Sequence, residues 1–162
     1  MSVRTARPED LEAVMDLEDS CFGAGERWSR RSWADDLAAG DRHVLVIEED
    51  EGDERAAGRP AGAATFHLVV DLCDLDRIMV RPDRRGRGLG GELLARGLDW
   101  ARTHGADRVL LEVREDNPSA RHLYESAGFT VWSRRAGYYG AGVDALVMGL
   151  DLTTTPSEEN HV

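Results

Sequence analysis

The sequence predicts a single mixed α/β domain, and three observations predict it. At 162 residues the chain has the length of one ordinary domain and can bury roughly 70% of its unfolded surface without disulfides or a structural metal. Segments whose apolar residues alternate with period two interleave with segments of helical spacing, in the order β-α-α-β-β-β-α-β-α-β-β. No repeat, linker or apolar run approaching the ~20 residues of a membrane span interrupts that order.

Val3–Arg7 reads as a short strand. Pro8-Glu9-Asp10 follows as a helix start, with proline in the first turn and carboxylates at the positive end of the dipole. Leu11, Val14, Met15 and Leu17-Glu18 continue at helical spacing. Residues 21–28 form a glycine-containing loop, and Ser29 caps a second helix reaching about Ala39. His43–Ile47 is a strand. Glu48–Glu54 holds six carboxylates in seven residues, the pattern of a solvated loop. Ala61–Val70 and Leu72–Val80 are strands joined by a tight turn near Asp71. A loop then leads into a helix from about Leu89 to His104, with Leu89, Leu93, Leu94, Leu98 and Ala101 along one side. Arg108–Val113 is a strand, Pro118–Ala127 a helix, and Gly128–Ser133 and Asp144–Leu150 the last two strands. The domain is expected to span 1–151, with a polar, loose tail over 152–162.

Thirty-one acidic residues against 20 basic ones give a formal charge of -11, and every basic residue is arginine. So acidic a chain is a poor general binder of DNA, RNA or anionic lipid. The missing lysine removes a Schiff-base lysine and a Walker-type phosphate loop. Cys21 and Cys73 stand apart, with no metal or disulfide spacing. The N-terminus is charged from the start, unlike a signal peptide. A soluble cytoplasmic protein without metal, nucleic-acid or membrane partner is expected, and a monomer is favoured.

Against that acidic background, Arg81, Arg84, Arg85 and Arg87 with Asp83 give one loop a local charge of +3, leaving -14 for the rest. The loop follows a strand and opens a helix, where glycines permit sharp turns and first-turn N–H groups point outward. A di- or triphosphate suits such a place. Gly86-x-Gly88-x-x-Gly91 matches the dinucleotide fingerprint, but that motif needs the strand to run directly into the first glycine. Here Arg81–Arg85 intervene, and the chain is too short for two mononucleotide halves.

In Leu110–Arg114, alternation puts Leu111 and Val113 on one face and Leu110, Glu112 and Arg114 on the other. Glu112 is a carboxylate within an otherwise apolar strand, and a buried glutamate there would need a partner or a task. Asn117-Pro118 starts the next helix, Ala120, Leu123 and Ala127 are its expected core stripe, and Tyr124 sits beside it.

Arg85-x-x-Gly88-x-Gly90, preceded by Val-x-Pro, resembles the acetyl-coenzyme A loop of the GNAT acetyltransferases. Asn-x-x-Ala-x-x-Leu-Tyr-Glu-x-x-Gly-Phe from Asn117 to Phe129 is similar to that family's closing motif. With Leu111-Glu112-Val113-Arg114 before it, and Arg134–Tyr139 and Asp144–Met148 after it, the resemblance narrows to the members acetylating the N-terminal alanine of ribosomal protein S18. It runs from about Val3 to Leu150 and is most specific from Ile78 to Met148. It implies the single-domain GNAT fold, a mixed, mostly antiparallel sheet flanked by helices.

The resemblance also implies roles. Ile78, Met79 and Val80 would hydrogen-bond the pantetheine arm of acetyl-CoA. Arg85, Gly86, Arg87, Gly88, Leu89, Gly90 and Gly91 would hold its pyrophosphate, and Asn117 would contact the cofactor arm. Glu112 would be the general base and Tyr124 the general acid. Trp28, Tyr138 and Tyr139 would border the acceptor, the N-terminus of ribosomal protein S18. The chemistry agrees, because an α-ammonium with a pKa of about 8 must lose a proton before attacking a thioester. The acceptor side departs from the family pattern. The Phe22–Trp28 loop is long and lacks the usual proline, and Arg134–Tyr139 carries an extra residue. A GNAT acting on a small amine such as a polyamine, amino acid or drug stays open, as does a non-catalytic acyl-CoA-binding domain.

Overall fold

A computed structural model describes residues 1–48, 59–140 and 142–153. Most of the acidic run beginning at Glu48, and the tail from 154 onward, lie outside the described residues. The elements are β1 (Ser2–Thr5), α1 (Leu11–Cys21), α2 (Arg30–Ala38), β2 (Arg42–Glu48), β3 (Gly62–Val69), β4 (Leu72–Val80), α3 (Leu89–Thr103), β5 (Arg108–Arg114), α4 (Pro118–Ser126), β6 (Thr130–Arg135) and β7 (Ala145–Asp151). Their order is the one predicted, with ends shifted by up to three residues, the largest shift being that of the first helix, expected from Pro8 and beginning at Leu11. Single 3₁₀ turns at Pro8–Asp10 and Pro82–Arg84 are additional, each opened by a proline whose fixed φ suits a first turn.

Hydrogen bonding orders the strands β1-β2-β3-β4-β5-β7-β6. β1–β2, β2–β3, β5–β7 and β6–β7 are antiparallel, and β4–β5 is parallel. The chain forms two compact units, Met1–His67 with Asp76–Gly97, and Leu68–Leu75 with Leu98 onward.

In the first unit β2 and β3 are buried on both faces, so their runs of apolar residues replace simple alternation. Val44, Val46 and Ala63 join Met79 under Val14 and Leu17 of α1 and Trp33 of α2. Ser29 caps α2 as expected, its hydroxyl accepting from the Ser32 N–H at 3.1 Å. The predicted stripe of α3 is buried throughout, at Leu89, Leu93, Leu94, Leu98 and Ala101. Gly97 lets α3 approach Phe66: a Cβ on it would fall 1.8 Å from the ring.

In the second unit, Val109, Leu111 and Val113 of β5 are buried with Ala145, Leu146 and Met148 of β7. β6 is exposed along its length and carries a register shift between Val131 and Ser133. The β3–β4 turn puts Val70 at φ +56°, a left-handed conformation unusual for a β-branched residue.

Candidate active site

The arginine-glycine loop leaves β4 at Arg81, whose N–H donates to the Ala61 carbonyl at 2.8 Å. Gly86 and Gly88 have φ of +80° and +82°, a region open to glycine at no steric cost. The first bond closing α3 runs from the Glu92 N–H to the Gly88 carbonyl at 3.1 Å. The amides before Glu92 have no acceptor inside the helix, the general condition of a helix start and the reason such a start suits an anion. Asp83 pairs with Arg81 at 3.4 Å and Arg84 at 3.5 Å. Arg85 folds back, its Nε donating to the Val80 carbonyl at 3.0 Å, where the Cys21 thiol also donates at 3.4 Å. The loop therefore fits a pyrophosphate through its backbone, whereas the Arg85 guanidinium is turned onto the strand end.

β4 pairs with β5 over Leu72–Leu75 opposite Arg108–Leu111. Ile78, Met79 and Val80 lie beyond that stretch, and among the described residues they have no β5 partner. Met79 puts its side chain in the core at 2% exposure, while Ile78 and Val80 are half-buried. A strand edge without a neighbouring strand can accept an extended ligand as a further strand, although the Val80 carbonyl is already engaged by Arg85 and Cys21.

On β5 the alternation is as predicted, but Glu112 is not buried. Val109, Leu111 and Val113 take the covered face; Glu112, with Leu110 and Arg114, takes the open one. Its side chain is 32% exposed and lies 3.8 Å from the Arg135 guanidinium. It thus needs no buried partner, because water and a loosely placed cation stabilise its charge. The carboxylate is accessible to a proton donor.

On α4 the buried residue is Tyr124, at 6% exposure, whereas the expected stripe of Ala120, Leu123 and Ala127 is only half-buried. Tyr124 lies on the same side as that stripe and is its most buried member, meeting Phe129 edge to face with ring centroids 6.0 Å apart. Among the described residues nothing hydrogen-bonds the Tyr124 hydroxyl, and burial pushes its pKa up to about 12. Asn117 caps the helix, its carboxamide oxygen accepting from the Ala120 N–H at 3.2 Å.

Tyr138 and Tyr139 follow β6 and pack edge to face at 5.1 Å. Arg135 lies over the Tyr138 ring and Arg114 over Tyr139, at 5.6 and 5.0 Å. Asp144 pins this hairpin by accepting from the Gly137 N–H at 2.9 Å and from Arg134 at 2.9 Å. Those two donors, Gly137 first, hold its carboxyl below the usual range. The second unit thus brings together Glu112, Arg135, Tyr138, Tyr139 and Arg114.

Trp28 lies in the first unit, tilted against Trp33 at 5.1 Å and stacked by Arg77 at 4.9 Å. Arg77 and the fully buried Glu18, paired at 2.7 Å, were not expected from the sequence. The signal was present: Glu18 falls on the apolar stripe of α1, and Arg77 shares the inward parity of Cys73, Leu75 and Met79 on β4. Among the described residues no cluster of His, Cys, Asp and Glu suits a metal, and no helix is long and apolar enough to cross a membrane.

Residues 11–129 match the Acetyltransferase (GNAT) family. A [Ribosomal protein bS18]-alanine N-acetyltransferase of Salmonella typhimurium is 39% identical over 148 residues, covering 89% of this chain and 93% of that protein. The crystal structure of the ribosomal-protein-S18-alanine N-acetyltransferase from Escherichia coli is similar with a TM-score of 0.82 at 27% identity, covering 95% of each chain. A Salmonella typhimurium structure described with its cofactor acetyl-CoA shares the fold, with a TM-score of 0.77 at 23% identity over 96% of this chain and 95% of that one. The seven-stranded mixed sheet, the glycine loop opening α3 and the family match over most of the chain agree: the chain belongs to the GNAT acetyltransferase family and is an N-acetyltransferase.

Proposed function

We propose that the chain transfers the acetyl group of acetyl-CoA to the α-amine of the N-terminal alanine of ribosomal protein S18, by direct attack within one complex. The observation that carries the chemistry is the accessible carboxylate of Glu112 on the open face of β5. The acceptor is supported by the relatives just described, which match almost the whole chain.

Acetyl-CoA supplies an activated thioester when bound. Residues 86–91 hold its pyrophosphate through backbone amides, the edge of Ile78–Val80 takes its pantetheine arm, and Asn117 contacts that arm. Glu112 takes a proton from the acceptor ammonium, directly or through one water, and the freed amine lone pair forms the new N–C bond as the C–S bond breaks; the second proton that the nitrogen loses as the amide forms passes to the departing sulfur, which leaves as the coenzyme A thiol. Tyr124 keeps its proton at neutral pH and donates a hydrogen bond to the departing sulfur. A thiol with a pKa of about 8.5 leaves with little acid assistance, so positioning contributes more than proton donation. Trp28, Tyr138 and Tyr139 border the acceptor. A ribosomal acceptor puts the activity in the cytoplasm.

Steady-state turnover on a peptide with the S18 N-terminus, compared with spermidine under saturating acetyl-CoA, tests the acceptor class. A higher kcat/KM on the peptide is expected; preference for the polyamine would assign the site to small amines.

A further inference from the structure

The loop from Phe22 to Trp28 contains Gly23 and Gly25, and neither has an atom within 4 Å of where a side chain would begin. The loop closes on itself through the Glu26 N–H to the Gly23 carbonyl at 3.0 Å and Arg27 Nε to the Phe22 carbonyl at 2.9 Å, and charge buried beneath it ties it to the neighbouring elements. Glu18, 0% exposed, accepts at Oε1 from Arg77 Nε at 2.7 Å and Trp33 Nε1 at 3.0 Å. At Oε2 it accepts from Arg77 Nη2 at 3.0 Å and from the Trp28 backbone N–H at 3.1 Å. Arg77 Nη2 also donates to the Glu26 carbonyl at 2.8 Å, and the guanidinium stacks over the Phe22 ring at 3.5 Å. One ion pair thus grips the loop at Phe22, Glu26 and Trp28.

A buried ion pair is seldom the most stabilising filling for a core, since apolar residues of similar volume often serve as well or better. What it adds here is geometry. The forked guanidinium and the two carboxylate oxygens fix both partners, and Arg77 immediately precedes Ile78 on β4.

We propose that Glu18 and Arg77 are positioning residues for the acceptor: together they hold the Phe22–Trp28 loop in register with β4, the strand whose next residues take the pantetheine arm. This rests on the reading of that loop as a border of the acceptor. Displacing a reactant by about 1 Å can cost about 10²-fold in rate, so a loop tied directly to the cofactor strand sets the approach of the amine.

The test is Arg77→Met, Arg77→Lys and the double variant Glu18→Gln/Arg77→Met, which leaves no unpaired buried charge. Each is assayed on the S18 peptide, with acetyl-CoA binding by calorimetry and thermal unfolding measured beside it. For Arg77→Met and the double variant, peptide kcat/KM is expected to fall by about tenfold or more, with the acetyl-CoA Kd within about twofold. Arg77→Lys should recover part of the loss. A folded double variant with unaltered peptide kinetics overturns the positioning role, and so does an equal loss of acetyl-CoA binding. A wild-type chain that leaves the peptide unmodified instead overturns the acceptor reading, and this role with it.

Discussion

Glu112 on β5 and Arg135 on β6 face each other at 3.8 Å, with side chains 32% and 56% exposed. At that distance and exposure the pair contributes little to stability, and an incoming ammonium can replace the guanidinium. Glu112→Gln should therefore fold normally and bind acetyl-CoA as the wild type does, while acetyl transfer falls by about 10²-fold or more. Stopped-flow turnover and calorimetric titration of acetyl-CoA separate the two effects.

Tyr124 is buried without a hydrogen-bond partner among the described residues, and its pKa is raised to about 12. Tyr124→Phe should lower kcat by about tenfold or less, because the thiol leaves with little help. The sign of the linked stability follows from the raised value. The unfolded tyrosine ionises near pH 10 and the folded one near 12, so stability falls as pH rises through that window. Urea unfolding of the wild type and Tyr124→Phe across it should show the variant losing less.

Gly97 and Phe66 share one space in the first unit. A methyl at Gly97 would stand 1.8 Å from Cζ of a ring that is 0% exposed. Alanine normally favours a helix interior by about 1 kcal/mol over glycine, but overpacking should dominate here. Gly97→Ala is expected to destabilise by about 1–3 kcal/mol, read from the urea midpoint.

Val70 is 87% exposed at φ +56°, so its side chain gives up little burial if replaced and strains the turn while present. Val70→Asn should raise stability by about 0.5–1 kcal/mol, with unchanged turnover.

Much of this architecture was legible because its signals are local. The α3 stripe, the Ser29 cap and the alternation of β5 each follow from residues a few positions apart. The glycine loop and the Asn117–Phe129 motif were legible for the same reason. The exposure of Glu112 was not legible, because alternation reveals which residues share a face but not which face is covered. On α4 the expected stripe of small residues stays half-buried and the larger Tyr124 beside it takes the core position, meeting Phe129. The Glu18–Arg77 pair joins residues 59 positions apart. Each charge stood on an apolar pattern, and only the two anomalies taken together imply a buried pair.

The most direct measurement is fragmentation mass spectrometry of a peptide carrying the S18 N-terminus after incubation with acetyl-CoA and either the wild type or Glu112→Gln. One acetyl group on the α-amine of the N-terminal alanine with the wild type, and about 10²-fold less product with the variant, is the expected result. An unmodified peptide under saturating acetyl-CoA would contradict the acceptor, and equal product from both proteins would contradict Glu112 as the base.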